Sequence, residues 1–209
     1  RNPMSYMDQR ATAEFNEGME KGFKISGMNA EKLLRSLAAT KAVAGSVKDP
    51  VWKYLWVRDH EPETFERVRW WLDVKEYLIS RMTGNFVMTS DSAYATMLYD
   101  TRKGREGFSS SLCSMFGIDV DHLPKVIKST DVAGYLRKKQ AEELGLVPGI
   151  PVFGGGGDLS LIGVGCGAVE TGDTHIYCGT SGWIGTVTDR QVVDTSAMIA
   201  SVVGAQEGK

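Results

Sequence analysis

The sequence predicts an α/β fold. Two features carry that expectation: capped, helically spaced apolar residues over the first two thirds of the chain, and short alternating runs between glycine turns after Ile150. Composition supports a packed interior, with 42% of the 209 residues hydrophobic and 24% charged. That length suits one large domain or one and a half small ones.

Asn29 is placed to cap a helix through Leu33, Leu34, Leu37 and Ala38, stopped at Gly45. Asp49-Pro50 breaks the chain before a short aromatic helix over Trp52 to Trp56. The clearest helix starts near Pro62, where Glu61 and Glu63 favour the positive end of the helix dipole. Val68, Trp71, Val74, Leu78 and Met82 then recur at spacings of three or four, defining one apolar face that Gly84 ends. Residues 85–100 predict a turn and a short helix ending at Leu98-Tyr99-Asp100. Residues 101–110 predict a loop, and further helices are expected at 109–116 and 131–144. Gly145 and Pro148-Gly149 punctuate the chain before Ile150 to Phe153, which reads as a buried strand. Leu159 to Val169 is apolar and glycine-rich, as in a segment packed closely on its neighbours. Thr174 to Cys178 and Trp183 to Thr188 alternate as strands about a hairpin turn at Gly179-Thr180-Ser181-Gly182. A domain boundary is expected near Gly167 to Gly172, dividing residues 1–168 from 169–209, and the tail after Val193 is expected to lack partner elements.

Charge and cysteine usage narrow the function classes. With 24 basic and 26 acidic residues the net charge is -2, which lacks the basic footprint of a nucleic-acid binder. Cys113, Cys166 and Cys178 are odd in number and widely spaced, so a disulfide framework is not expected and a reducing cytoplasm is. No apolar run reaches the roughly 18 residues of a membrane span.

Two segments carry chemistry. Asp158 follows Gly154 to Gly157, and a carboxylate held at the floor of a cleft can take the proton of a hydroxyl attacking phosphorus. The same pattern equally fits a glycine turn with Asp as the N-cap of the next helix. Gly179, Thr180 and Ser181 offer backbone N–H groups and two hydroxyls that can cradle phosphate, or form an ordinary hairpin turn. No G-x-x-x-x-G-K-S/T run occurs. Gly163 to Ala168 fits G-x-G-x-x-A, but a dinucleotide site would need it to open a long helix, and Gly172-Asp173 interrupts too soon. His175 and Cys178 would face opposite sides of a strand, so core packing is preferred to a metal pair. His60 and His122 read as surface residues, and Trp52, Trp56, Trp70 and Trp71 as core or cleft wall.

Taken in order, several segments resemble the FGGY family of carbohydrate kinases. Trp71 to Leu78 with Arg81-Met82-Thr83-Gly84 looks like that family's helix ending in a Leu-Thr-Gly turn. Thr96-Met97-Leu98-Tyr99-Asp100 is similar to its "TMLFD" segment. Gly145-Leu146, then Gly149 to Val152 and the glycines to Asp158, resemble its "GL..G.PV..G..D" run, and Gly172-Asp173 followed by Gly179-Thr180-Ser181 its phosphate loop. Asp8-Gln9-Arg10-Ala11 is similar to the segment beside the sugar pocket, with Tyr6 where the family has tryptophan. Leu123-Pro124 through Gly134, and the glycine-rich run before Asp158, look closer to the pentulose (xylulose) kinases than to the glycerol kinases.

The resemblance implies an actin/hexokinase-like (ribonuclease H-like) fold, present as the end of a first, sugar-binding domain and the start of a second, ATP-binding one. It implies Asp158 as catalytic base, Gly179, Thr180 and Ser181 at the ATP phosphates, and Asp8, Arg10 and Asp158 at the sugar. ATP with Mg2+ would be the cofactor and no protein-held metal is expected. The expected partners are a small-molecule sugar and ATP, with a homodimer as the assembly to test, and neither nucleic acid nor membrane. The family's first phosphate motif would lie upstream of Arg1 and its adenosine segment downstream of Lys209, so this stretch alone is expected to be inactive. A non-catalytic sugar- or nucleotide-binding protein of the same fold, and a kinase of glycerol or another polyol, are the alternatives.

Overall fold

The computed structural model describes residues 2–179, 181–194 and 199–209. The chain divides into two compact units, Arg1–Tyr77 with Ala93–Val126, and Leu78–Ser92 with Ile127–Lys209.

The first unit is helical around an aromatic core. Asn29 caps the helix Ala30–Thr40 as expected, its Oδ1 accepting the Lys32 N–H at 3.0 Å. The helix stops at Lys41, which adopts the left-handed conformation (φ 59°), four residues before the expected stop at Gly45. Pro50 opens the helix Pro50–His60, which drives Val51, Trp52, Tyr54, Leu55 and Val57 into the interior. Trp52 is fully buried, with Phe15 and Phe116 each packed edge-on at 5.6 Å, and its indole N–H reaches the Ala44 carbonyl at 3.2 Å. Ser109 caps the helix Ser110–Phe116, and Gly117 ends it at φ 72°. Tyr99–Asp100 pairs antiparallel with Gly107–Phe108, so the expected end of a helix and the expected loop form a small hairpin instead.

The single long helix expected from Pro62 is two pieces, Pro62–Phe65 and Val74–Thr83. Between them the Trp71 N–H donates to the His122 carbonyl at 2.7 Å, and the Trp71 ring packs on Tyr54 at 5.1 Å. A tertiary bond thus takes the amide that an uninterrupted helix would have used. The expected apolar face is also displaced: Val74 and Leu78 are exposed, whereas Glu76 and Ile79 are buried. His122 is likewise not a surface residue. It is half-buried, hydrogen-bonded to the Tyr54 hydroxyl at 2.8 Å and packed by Phe65.

In the second unit the expected helix over 131–144 splits into the strand Val132–Tyr135 and the helix Lys138–Leu144, which Gly145 closes at φ 67°. The strand pairs antiparallel with Pro151–Phe153 around an irregularity between Val132 and Gly134. Pro151–Phe153 is a strand, but not a buried one: Phe153 is 53% exposed. Within residues 85–100 the helix Ser90–Ala95 follows an unexpected strand, Val87–Thr89. The helix Asp158–Gly165 buries Gly163 but leaves Leu159, Leu161 and Val164 exposed, so the close packing expected of this stretch is confined to its glycine side. Thr174–Cys178 and Gly182–Thr186 form the expected hairpin, with Cys178 opposite Gly182. Val193–Asp194 pairs with Ile199–Ala200, so the tail has a partner after all. No helix among the described residues is long and apolar enough to cross a membrane.

Candidate functional site

Asp158 is the exposed first residue of the helix Asp158–Gly165. Gly157 is the cap residue, so Asp158 stands one position inside the helix rather than capping it. The four glycines before it run through a fixed path. Gly154 N–H donates to the Asp131 carbonyl at 3.0 Å, and Gly155 N–H to the Ser129 carbonyl at 2.9 Å. Gly157 N–H donates to Asp91 Oδ2 at 2.6 Å. A Cβ on Gly154 would sit 2.6 Å from Thr89 Cγ2 and 2.8 Å from the Lys128 carbonyl oxygen, and one on Gly156 2.9 Å from Ala205 Cβ. Gly155 has φ 67°. Crowding at Gly154 and Gly156 and a left-handed backbone at Gly155 therefore require glycine at these three positions, and the run delivers Asp158 on a tethered loop.

Sequence reasoning missed the tether. Asp91 is buried, and its Oδ1 accepts the Thr89 hydroxyl at 2.5 Å and the Ser92 N–H at 2.9 Å. In sequence, Thr89-Ser90-Asp91-Ser92 signals a helix start, and the helix Ser90–Ala95 does begin there. Nothing local signals a partner 66 residues away.

The hairpin turn lies beyond the far end of the same helix. A Cβ on Gly163 would approach the His175 ring at 3.1 Å, which seats the helix on the strand Thr174–Cys178. His175 and Tyr177 face this side, whereas Cys178 is exposed on the other, as the alternation required. Tyr177 stacks on Trp183 at 4.1 Å, and a Cβ on Gly179 would overlap the Tyr177 ring. Within the turn the Gly179 N–H donates to the Ser181 carbonyl at 2.9 Å, and Thr180 lies outside the described residues. At the foot of the hairpin Asp173 Oδ2 accepts the Val169 and Glu170 amides at 2.9 and 2.7 Å, and these amides hold its carboxyl below the ordinary range. Gly163 to Ala168 closes a helix rather than opening one, so its G-x-G-x-x-A pattern has no dinucleotide geometry.

Asp8 and Arg10 lie in the first unit and meet each other. Arg10 Nε is 2.9 Å from both Asp8 oxygens, and Arg10 Nη2 is 2.7 Å from Oδ2. The Arg10 amide also donates to Asp8 Oδ1 at 3.0 Å, and these bonds lower the Asp8 carboxyl pKa. The guanidinium lies 4.8 Å from the Trp56 ring centre, Trp56 stacks on His60, and His60 Nε2 is 2.9 Å from Glu14 Oε1. Lys53 Nζ, buried beside this segment, donates to the Ser5 and Tyr6 carbonyls at 2.8 and 3.2 Å, and burial lowers its pKa. Glu14, Lys53 and Trp56 thus join a polar cluster of which sequence reasoning found only Asp8 and Arg10. Among the described residues no three His, Cys, Asp or Glu side chains gather to hold a metal ion.

Comparison with known proteins follows the same lines. The xylulose kinase of Bacillus subtilis is 37% identical over 133 residues, covering 63% of this chain and 26% of that protein. The xylulose kinase of Lactococcus lactis is 35% identical over 130 residues, covering 62% and 26%. The chain therefore spans about a quarter of the length of the curated relatives it matches. The crystal structure of ligand-bound xylulose kinase from Lactobacillus acidophilus superposes with a TM-score of 0.78 at 24% identity, covering 94% of this chain and 38% of that one. That likeness establishes the actin/hexokinase-like fold, present in part. Residues 8–165 match the N-terminal domain of the FGGY carbohydrate kinases, and the chain belongs to that family.

Proposed function

We propose that the protein containing this chain transfers the γ-phosphoryl group of ATP to a hydroxyl of a sugar such as xylulose. Asp158 accepts the proton of that hydroxyl as it attacks phosphorus. The observation that carries this reading is the placement of Asp158: an exposed carboxylate at the start of a helix, delivered by a glycine loop with three anchored amides. A carboxylate held in this way needs little reorganisation to reach its working position.

Gly179, Thr180 and Ser181 would meet the ATP phosphates. The Gly179 amide is already engaged within the turn, and among the described residues the Ser181 hydroxyl is a donor suited to a phosphate oxygen. Asp8 and Arg10 would border the sugar, the pair fixing an acceptor and a guanidinium edge in one orientation. Mg2+ would arrive with ATP, because Mg2+ commonly takes substrate phosphates and waters as ligands. The family match over residues 8–165 supports assigning residues 1–168 to the sugar-binding domain and 169–209 to the start of the ATP-binding one.

The test uses the full-length protein, with ADP release measured against a panel of pentuloses, hexuloses and polyols. Sugar-dependent release with xylulose among the best substrates, abolished by Asp158→Asn, is the expected result. Best turnover on glycerol would move the substrate class, and sugar binding without ADP release would defeat the kinase reading.

A further inference from the structure

We infer that Asp91 is a positioning residue for Asp158, an inference that rests on the reading of Asp158 as the proton acceptor. The Asp91 carboxylate is buried and accepts three hydrogen bonds. Two are local, from the Thr89 hydroxyl and the Ser92 amide, both on Oδ1. The third is not local: Oδ2 takes the Gly157 amide at 2.6 Å, across 66 residues of sequence. Gly157 immediately precedes Asp158, so this bond fixes the peptide from which Asp158 departs.

The arrangement fits a positioning role better than general scaffolding. The Thr89 hydroxyl and the Ser92 amide hold Oδ1, so the carboxylate plane is set before it meets the loop. An ionised acceptor binds an N–H more strongly than a neutral carbonyl does. Glycine at 156 lets the loop approach Asp91 closely: a Cβ there would stand 3.0 Å from Asp91 Oδ2. The Gly154 and Gly155 amides are held by backbone carbonyls at residues 131 and 129. Asp91 is therefore the side chain that restrains the last link before the base. Its loss frees Gly157 and Asp158 while the rest of the loop stays anchored.

The test compares Asp91→Ala, Asp91→Asn and Asp158→Asn in the full-length kinase. A base displaced by about 1 Å loses on the order of 100-fold in rate, so Asp91→Ala should lower kcat by about that factor with the sugar KM within about threefold of wild type. Asparagine keeps one carbonyl oxygen for the Gly157 amide but presents an NH2 to the remaining donors, so Asp91→Asn should recover kcat to within roughly tenfold of wild type. Amide exchange should show Gly157 and Asp158 losing protection in Asp91→Ala while the hairpin at 174–186 keeps its own. A merely structural role would lower melting temperature and active fraction but not kcat per folded molecule. Inactive Asp158→Asn beside Asp91 variants within threefold of wild-type kcat would overturn the inference and leave the base reading standing. Full turnover by Asp158→Asn would overturn both. Should Asp91→Ala fail to fold, Asp91→Ser, whose hydroxyl is too short to reach the Gly157 amide, decides: kcat per folded molecule within threefold of wild type overturns the inference.

Discussion

Arg10 grips both carboxylate oxygens of Asp8 from two residues away, with its side chain and its own backbone amide. The sequence spacing makes this local fork available, and the Trp56 ring beneath the guanidinium holds it in place. The geometry uses the planar fork of arginine, which lysine cannot reproduce. Arg10→Lys in the full-length protein should therefore raise the sugar KM by about tenfold, the scale of one lost bidentate contact, with kcat less affected. Steady-state kinetics checks this, and an unchanged KM would remove Arg10 from the sugar site.

The same pair predicts a pH dependence. Asp8 titrates lower in the folded protein than in the unfolded chain, because the Arg10 bonds favour its charged form. Its stabilising contribution is complete at neutral pH and is lost as pH falls through the lowered folded pKa. The stability gap between wild type and Asp8→Asn should stay constant from pH 7 down to about pH 4 and close only below that. Urea denaturation across the series measures it; a gap that closes between pH 7 and 5 contradicts the assignment.

Gly154 should tolerate no side chain. Its Cβ would meet Thr89 Cγ2 and the Lys128 carbonyl oxygen, one of them rigid backbone. Gly154→Ala should cost about 1–3 kcal/mol, the range for overpacking a filled site. Gly165→Ala, with nothing within 4 Å of the added carbon, is the control. Thermal melts of the two variants should separate clearly, with only Gly154→Ala strongly lowered.

Trp52 should be the most expensive truncation in the first unit. It is fully buried, contacts Phe15 and Phe116 edge-on, and uses its indole N–H on Ala44. Trp52→Ala should cost about 3–5 kcal/mol, and Trp52→Phe less because most of the ring volume remains. Chemical denaturation midpoints give the order, and equal losses would point to the indole bond rather than packing.

Cys113 should be the unreactive thiol. Burial pushes its pKa up to about 11, whereas Cys166 and Cys178 are exposed. A thiol-specific reagent at pH 8 should modify Cys166 and Cys178 of the native protein quickly and Cys113 only after unfolding. Rapid labelling of Cys113 would contradict its place in the core.

Much of the fold was legible because its signals are local. Asn29, Pro50, Ser109, Gly117 and Gly145 each set an element end through their own backbone or side-chain chemistry. The hairpin at 174–186 was readable from alternation and a glycine-rich turn. The misreadings arose where partners are distant. Val68 to Met82 has helical spacing, but the Trp71 amide bonds to His122 and the helix breaks. Val132 to Tyr135 pairs with Pro151 to Phe153, which no local pattern shows.

The sequence by itself determined the family, through ordered segments, and with it the candidate residues Asp158, Gly179, Thr180, Ser181, Asp8 and Arg10. Each sits in a short motif whose chemistry is carried by neighbours in the chain. Only the tertiary structure decided why Gly154 and Gly156 must be glycine, that His122 belongs among aromatics, and that Asp91 holds Gly157. Those facts depend on atoms brought together across tens of residues, and local propensity does not encode which buried carboxylate will find which amide.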